Sequence, residues 1–181
     1  TPGRLLPISE RWAQRLMDLG VPREKITVVH MGVDVERFQF EDRPQNKPIR
    51  ILSVARATEK KGLTYALEAI EKCNMDVRYE IIGGGELESK LIAQIADYNS
   101  KEKITIHGPQ SSEFVAESLK KADIFLLPSV TDQYGDMEGI PVSLMEAMAS
   151  GVIVLSTVHS GIPELVEHQK SGFLVEERNG A

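Results

Sequence analysis

The sequence contains a single cysteine, no long hydrophobic run and no stretch rich in positive charge. Cys73 cannot form an internal disulfide, which fits a reducing compartment. No apolar run approaches the length of about 18 residues that crosses a bilayer, and no signal peptide is visible. The net charge of −6 argues against a nucleic-acid-binding surface. We therefore expect a cytoplasmic protein without a nucleic-acid partner, in which a local positive cluster holds any phosphate ligand.

Metal-ligand spacing is also missing from the sequence. No histidine, cysteine or carboxylate cluster has the arrangement of a metal site, and Asp132 with Asp136 on one polar segment is weak evidence for a cation. His159 is expected to face solvent, and Glu164 to cap or pair at a helix start. We predict no metal.

What the sequence does contain is a regular alternation of short apolar segments and longer helical ones. The 181 residues, 41% of them hydrophobic, suffice for one core. Strands are predicted over residues 51–55, 77–82, 104–107, 124–127, 152–156 and 173–175. Helices are predicted over residues 62–72, 86–98, 112–122, 140–150 and 162–168. This alternation predicts an α/β fold with a doubly wound parallel sheet, in which ligands bind beyond the carboxyl ends of the strands.

The first part of the chain is predicted to form an arm that precedes this domain. A helix capped by Ser9 and a strand over residues 26–29 are followed by a polar, proline-flanked linker at residues 41–48. The chain begins without a methionine, so we expect a fragment of a longer protein. We divide it into an arm, residues 1–48, and an α/β domain, residues 49–181.

Two glutamates with seven residues between them occupy a segment that otherwise has the character of a buried helix. Pro141 suits its first turn and Gly151 its end, which predicts a helix over residues 140–150. Glu138 would then lie just before the N-terminus, where unpaired N–H groups favour an anion or a sugar oxygen. Glu146 would lie roughly two turns further on among apolar neighbours, so its carboxylate is either paired or placed for a ligand.

Further candidate ligand-binding residues follow three of the predicted strands. Arg56 and Lys61 follow the first strand at the correct end of the sheet to face a ligand, although a solvated charged surface is the simpler explanation of this stretch taken alone. Gly83 begins a run of three glycines, for which a tight turn with positive φ is a sufficient explanation. Gly108 lies in a loop whose backbone groups could contact a base edge.

The paired glutamates resemble the glutamate-seven-glutamate motif of retaining GT-B glycosyltransferases, the large family of sucrose synthases, bacterial mannosyltransferases and exopolysaccharide transferases. The sequence of residues 135–141 most resembles that of transferases of colanic acid and other exopolysaccharides. The resemblance implies that Glu138 faces the donor sugar and that Glu146 holds the ribose hydroxyls. The family usually has Gly-Phe-Gly where this chain has Gly139, Ile140 and Pro141, so the identity of the donor sugar is not carried over.

The same resemblance assigns roles to the other candidates. Arg56 and Lys61 would bind the diphosphate, and Lys60 would be their solvent-facing neighbour. The implied catalytic residues are thus Glu138, Arg56 and Lys61. The implied nucleotide-sugar-binding residues are Arg56, Lys61, Gly83, Gly108, Glu138, Gly139, Ile140 and Glu146.

The resemblance implies that residues 1–48 are the end of the N-terminal domain with the interdomain linker, and that residues 49–181 form the nucleotide-sugar-binding, C-terminal half of a GT-B fold. It implies metal-independent, retaining transfer of a hexose to a saccharide or lipid-linked acceptor in polysaccharide biosynthesis, without a cofactor. The partners would be the nucleotide-sugar donor, the acceptor and the protein's own N-terminal domain, without which the fragment should be inactive. Peripheral association of the full-length protein with the inner face of the membrane is left open.

Two alternatives remain. One is a GT-B nucleotide-sugar 2-epimerase, which shares the architecture. The other is a non-enzymatic docking or receiver domain. A receiver needs an acidic cluster with a phosphorylatable aspartate at the end of its first strand, where this chain has Arg56 and lysines.

Overall fold

A computed structural model describes residues 3–40 and 48–178, so the linker predicted at residues 41–48 lies almost wholly outside the described residues. Within these ranges the strands form one sheet in the order β3-β2-β1-β4-β5-β6, and every neighbouring pair is parallel. The strands are β1 (Ile49–Val54), β2 (Val77–Ile82), β3 (Ile104–Ile106), β4 (Ile124–Leu127), β5 (Ile153–Thr157) and β6 (Phe173–Val175). The predicted parallel α/β fold is confirmed.

Helices occupy the segments between the strands. They are α1 (Glu10–Asp18), α2 (Leu63–Lys72), α3 (Glu88–Ala96), α4 (Ser112–Lys121), α5 (Val142–Ala149) and α6 (Ile162–Leu165). Ser9 caps α1 as predicted, because its hydroxyl accepts the N–H of Trp12. α5 begins at Val142 with Pro141 as its N-cap, slightly later than expected. The described helices include none that is long and apolar enough to span a membrane.

The strand predicted over residues 26–29 is wrong. Residues 5–7 lie beside this segment, and the N–H groups of Thr27 and Val29 donate to the carbonyl oxygens of Leu5 and Pro7, but only the bridge from Leu5 to Ile26 is complete. The β-branched residues of the segment favour an extended backbone, but Pro7 has no N–H with which to extend the ladder.

Two apolar clusters cover the two faces of the sheet. One contains Ile51 and Tyr79 with the apolar sides of α2 and α3. The other contains Leu52 and Phe125 with those of α4, α5 and α6, and Phe38 from the arm joins it. Neighbouring strand residues therefore face opposite helical layers, which is the doubly wound arrangement.

The strand order reverses between β1 and β4. Strands β2 and β3 continue on one side of β1, and β5 and β6 on the other side of β4. A crevice for ligands is expected at the carboxyl ends of these two central strands. The loops that follow them approach closely at Gly62, whose φ is +66° and where an added Cβ would lie 1.8 Å from the Pro128 carbonyl oxygen. Only glycine fits there.

Candidate functional site

A buried ion pair joins the two loops that follow β1 and β4. Lys61 ends a short 3-10 turn after β1, and Glu138 lies in the loop between β4 and α5. The Lys61 ammonium lies 2.8 Å from Oε2 of Glu138, and the two side chains are only 15% and 9% exposed. The structure therefore brings together two predicted site residues that are far apart in the sequence.

The second carboxylate oxygen of Glu138 has no hydrogen-bond partner among the described residues, although it is buried. Two more buried side-chain oxygens without a partner, Thr58 Oγ1 and Ser129 Oγ, lie on the same pair of loops. Buried polar groups in folded proteins are nearly always bonded, because an unpaired one costs about 1–3 kcal/mol. A ligand with hydroxyl donors would satisfy the free oxygen of Glu138.

Three side chains from two other segments hold the backbone of Glu138. Its carbonyl oxygen accepts a hydrogen bond from Trp12 Nε1 at 3.2 Å and one from Ser160 Oγ at 2.6 Å. Its N–H donates to His159 Nε2 at 3.0 Å. Since both sides of this residue's backbone are bonded, the position of its carboxylate depends on α1 and on the loop after β5.

His159 is buried, with 1% of its surface exposed, so the expectation that it faces solvent is wrong. The physical reason is the strand order: β5 neighbours β4, and the residues after β5 therefore lie against the loop that carries Glu138. Nδ1 of His159 lies 2.5 Å from Oε1 of Glu177, the residue that follows β6 by two positions. The sequence analysis assigns no site role to His159 and does not single out Glu177, although their places just after neighbouring strands are a usable signal.

Glu177 connects three loops. Besides His159, it accepts the backbone N–H of Thr131 at 2.9 Å, and Arg178 lies 3.7 Å from the same oxygen. Burial alone would raise the pKa of Glu177. The hydrogen bonds from His159 and Thr131 and the positive charge of Arg178 outweigh burial and hold that pKa below its ordinary value.

A second ion pair joins the same two loops. Lys60, expected to face solvent, is only 23% exposed and its ammonium lies 2.8 Å from Asp136. Their hydrogen bond raises the pKa of Lys60 and lowers that of Asp136. Arg56 is exposed, and its charge repels that of Lys60 and partly opposes the rise in the Lys60 pKa. The expectation that Lys60 faces solvent is therefore wrong, because the loop after β4 covers most of its side chain.

The acidic residues of the same loop build a turn. Asp132 accepts the N–H groups of Tyr134 and Asp136, both at 2.8 Å. Within residues 3–40 and 48–178, no group of three or more histidine, cysteine or acidic residues could hold a metal ion. Metal independence stays a prediction.

Glu146 lies in the second turn of α5, beyond Glu138, as the sequence predicted. Its side chain is half-buried, and this burial raises its pKa, although the positive charge of Arg37 opposes the rise. The carboxylate is therefore close to a cation and is poorly hydrated, which suits it to accept hydrogen bonds from a ligand.

The predicted glycine contacts have packing roles of their own. Gly83 donates its N–H to the Gly108 carbonyl oxygen at 2.9 Å. Its φ is +129°, and an added Cβ would lie 2.1 Å from the Ala55 carbonyl oxygen. An added Cβ at Gly139 would lie 2.2 Å from Ile8 of the arm, and Ile140 is buried. Contact of these four residues with a ligand stays a prediction.

Glu164, from near the other end of the chain, binds the N-terminus of α1. The Glu164 carboxylate accepts the N–H groups of Glu10 and Arg11 at 2.8 and 2.9 Å. The prediction that Glu164 caps a helix start is confirmed, and the helix is α1. A negative charge at this end is favourable to the helix dipole.

Comparison with known proteins points to one family. The profile described as "Glycosyl transferases group 1" matches residues 34–181. The chain is 51% identical over 181 residues to WcaL of Escherichia coli K12, which is assigned by name to colanic acid biosynthesis as a glycosyltransferase. It is 50% identical over 177 residues to the amylovoran biosynthesis glycosyltransferase AmsK of Erwinia amylovora. These alignments cover 97% and 96% of this chain but only 44% of each relative.

Solved structures agree on the fold. The crystal structure of Anabaena Alr3699/HepE in complex with UDP-glucose superimposes with a TM-score of 0.85 at 20% sequence identity. The match covers 98% of this chain and 51% of that one. The chain thus corresponds to about half of the proteins that it resembles.

Proposed function

Because the chain belongs to the glycosyl transferases of group 1, we propose that it binds a nucleotide-diphosphate sugar at the carboxyl ends of β1 and β4. The observation that carries the proposal is the buried Lys61–Glu138 pair with one oxygen of Glu138 left unpaired. A cation at this position suits a phosphate, and a fixed acceptor beside it suits a sugar hydroxyl.

The diphosphate would contact Arg56, Lys61 and the N-terminus of α5. Arg56 is exposed after β1, and Lys61 is held by Glu138 in the same crevice. Cleavage of the glycosidic bond leaves negative charge on the departing diphosphate. Positive groups that are already in place stabilise that charge without reorganising during the reaction.

The two glutamates would bind the other parts of the donor. Glu138 would accept a hydrogen bond from a sugar hydroxyl through its free Oε1. Glu146, on α5, would accept hydrogen bonds from the ribose hydroxyls, each worth about 1.5–3 kcal/mol because the acceptor is charged. The loops at Gly83 and Gly108, which bond to each other, would lie near the base.

For the complete protein we propose retaining, metal-independent transfer of a hexose to a saccharide or lipid-linked acceptor in exopolysaccharide biosynthesis. Two observations support this: WcaL and AmsK carry names of that class, and the HepE structure holds UDP-glucose. The remainder of the protein would supply the other wall of the site, and the reaction would take place in the cytoplasm, where nucleotide sugars are made available.

The proposal is tested by calorimetric titration of this chain and of the complete protein with UDP, GDP and ADP. Each titration is run with magnesium and again with a chelator. We expect saturable binding of one nucleotide, unchanged by the chelator and weakened in Glu146→Ala. Glu68→Ala, at an exposed position on α2, is the matched control and should bind as the wild type does.

Absence of binding by the complete protein to all three nucleotides would contradict the proposal. Conversion of a sugar nucleotide to its 2-epimer without an acceptor would support the epimerase instead. The anomeric configuration of the product, read by NMR, tests retention. In the complete protein, Glu138→Ala should reduce turnover more than nucleotide affinity.

A further inference from the structure

The proposed reaction makes no use of the buried histidine behind Glu138. His159 is 1% exposed and lies between the Glu138 backbone N–H and the Glu177 carboxylate, with 3.0 Å on one side and 2.5 Å on the other. A buried imidazole with both ring nitrogens bonded is held in a single orientation.

We infer that His159 is a positioning residue, which sets the place of the Glu138 carboxylate by accepting the N–H of Glu138 at Nε2. The inference deepens the proposed function and rests on it for the kinetic part of the test. Glu177 acts through His159 by accepting the hydrogen bond from Nδ1.

The direction of both hydrogen bonds follows from their chemistry. A backbone N–H can only donate, so Nε2 of His159 must be the unprotonated acceptor. The neutral ring then carries its proton on Nδ1 and donates it to Glu177 Oε1. Because Glu177 is itself held by the Thr131 N–H, the ring cannot turn without breaking bonds to both neighbouring loops.

The charges around the ring support this tautomer. Glu177 faces Nδ1, with Arg178 at 3.7 Å from its other oxygen, and the Glu138 carboxylate is occupied by Lys61. The Nε2 side therefore meets a neutral amide donor, while the negative charge lies at the Nδ1 side. This arrangement resembles the carboxylate–histidine pairs that orient ligands in metal sites, with a peptide N–H in place of the metal.

A small displacement of Glu138 has a large effect if its free Oε1 contacts the donor sugar. A misplacement of about 1 Å can reduce a rate by roughly 100-fold. The nucleotide contacts proposed for Arg56, Glu146 and α5 do not depend on the hydrogen bond to His159, so its loss should lower turnover more than nucleotide affinity.

The first test is spectroscopic and needs no substrate. In chain labelled with ¹⁵N, an N–H···N hydrogen bond gives a scalar coupling between the Glu138 amide nitrogen and His159 Nε2. We expect this coupling near neutral pH, together with imidazole ¹⁵N shifts of the tautomer protonated at Nδ1. A ring protonated at Nε2, or no coupling in a folded sample, would overturn the inference.

The second test compares two amide variants in the complete protein. The Gln side chain in His159→Gln places its terminal amide where Nε2 lies and keeps an acceptor for Glu138. The shorter side chain of His159→Asn reaches only the Nδ1 position, next to Glu177. Both variants lose the imidazole ring, and their side chains differ from each other by one methylene group.

We expect His159→Asn to lower kcat roughly 100-fold, His159→Gln to recover most of that loss, and both to keep the wild-type dissociation constant for the nucleotide. Equal losses of kcat in the two variants would show a packing role only. If the wild type binds no nucleotide diphosphate, the proposed function fails while the coupling measurement still decides the position of His159.

Discussion

The Lys61–Glu138 pair is the residue contact on which the candidate site depends. Removing one partner of a buried ion pair leaves an uncompensated charge, which costs about 3–5 kcal/mol. We therefore expect Lys61→Met to lower the free energy of unfolding by about that amount near neutral pH. Urea denaturation followed by circular dichroism measures it.

Lys60→Met is the matched control for this substitution. Its partner Asp136 is 55% exposed, so the pair should be worth less than about 1 kcal/mol. The double variant Lys61→Met with Glu138→Gln removes both charges and should regain much of the loss. Equal effects of Lys60→Met and Lys61→Met would mean that the Lys61–Glu138 pair is solvated in solution.

Glu177 makes the free energy of unfolding depend on pH in the acid range. Its pKa in the folded protein lies below its ordinary value. The unfolded chain therefore binds the proton more tightly, and stability that is present above the ordinary pKa of about 4.3 is lost as the pH falls through the lowered folded value. We expect the unfolding free energy of Glu177→Gln to depend less on pH in this acid range than that of the wild type.

Urea titrations at a series of acid pH values test this expectation. Glu176→Gln is the control, because it removes an exposed neighbouring carboxylate without touching His159. Parallel stability profiles of the wild type and Glu177→Gln would contradict the role assigned to the hydrogen bonds of Glu177.

Among the elements, α1 depends on Glu164 for the capping of its first turn. Replacing a capping acceptor costs about 1–2 kcal/mol, which corresponds to a 5–30-fold change in the opening equilibrium. We expect amide exchange in Glu10–Asp18 to accelerate by roughly that factor in Glu164→Ala, while exchange in β1 and β4 stays slow. Hydrogen exchange with mass spectrometry resolves these segments.

Glu167→Ala is the control for α1. This residue is exposed and pairs with Lys170 rather than with α1. If the amides of α1 exchange as fast in the wild type as in Glu164→Ala, Glu164 does not stabilise this helix in solution.

The order of strands and helices was predictable because each element carries its own periodicity and its own end signals. Ser9 as a helix cap is such a local feature, and it is confirmed. The strand predicted over residues 26–29 is wrong because its partner segment contains Pro7, which has no N–H with which to continue the pairing. The burial of His159 could not be predicted from its neighbours in the sequence, since it follows from β5 lying next to β4.

The residues of the candidate site could be predicted from the sequence, but the contacts between them could not. Glu138 and Lys61 each lie at the expected strand end, yet their ion pair and the free oxygen of Glu138 depend on the approach of two loops. The supporting residues Trp12 and Glu177 come from opposite ends of the chain. No spacing rule in the sequence connects them.

Across the molecule, the arm and the sheet share one apolar core. Phe38 is 5% exposed and belongs to the cluster under α5, while Phe40 is 66% exposed. We expect Phe38→Ala to lower the free energy of unfolding by about 3–5 kcal/mol and Phe40→Ala by less than about 0.5 kcal/mol. A cooperative unit should give one transition in scanning calorimetry, with equal calorimetric and van't Hoff enthalpies. Two separate transitions would show that the arm folds independently.

The hydrogen bond from Trp12 to the Glu138 carbonyl oxygen has a practical consequence. Trp12 is the single tryptophan of the chain, and its indole N–H reaches the backbone of the residue proposed to meet the donor sugar. Indole emission shifts in wavelength and intensity when its hydrogen bonding and solvation change. The intrinsic fluorescence of the unlabelled chain should therefore report movements of the Glu138 loop, so that ligand arrival can be followed in a stopped-flow instrument without an added dye.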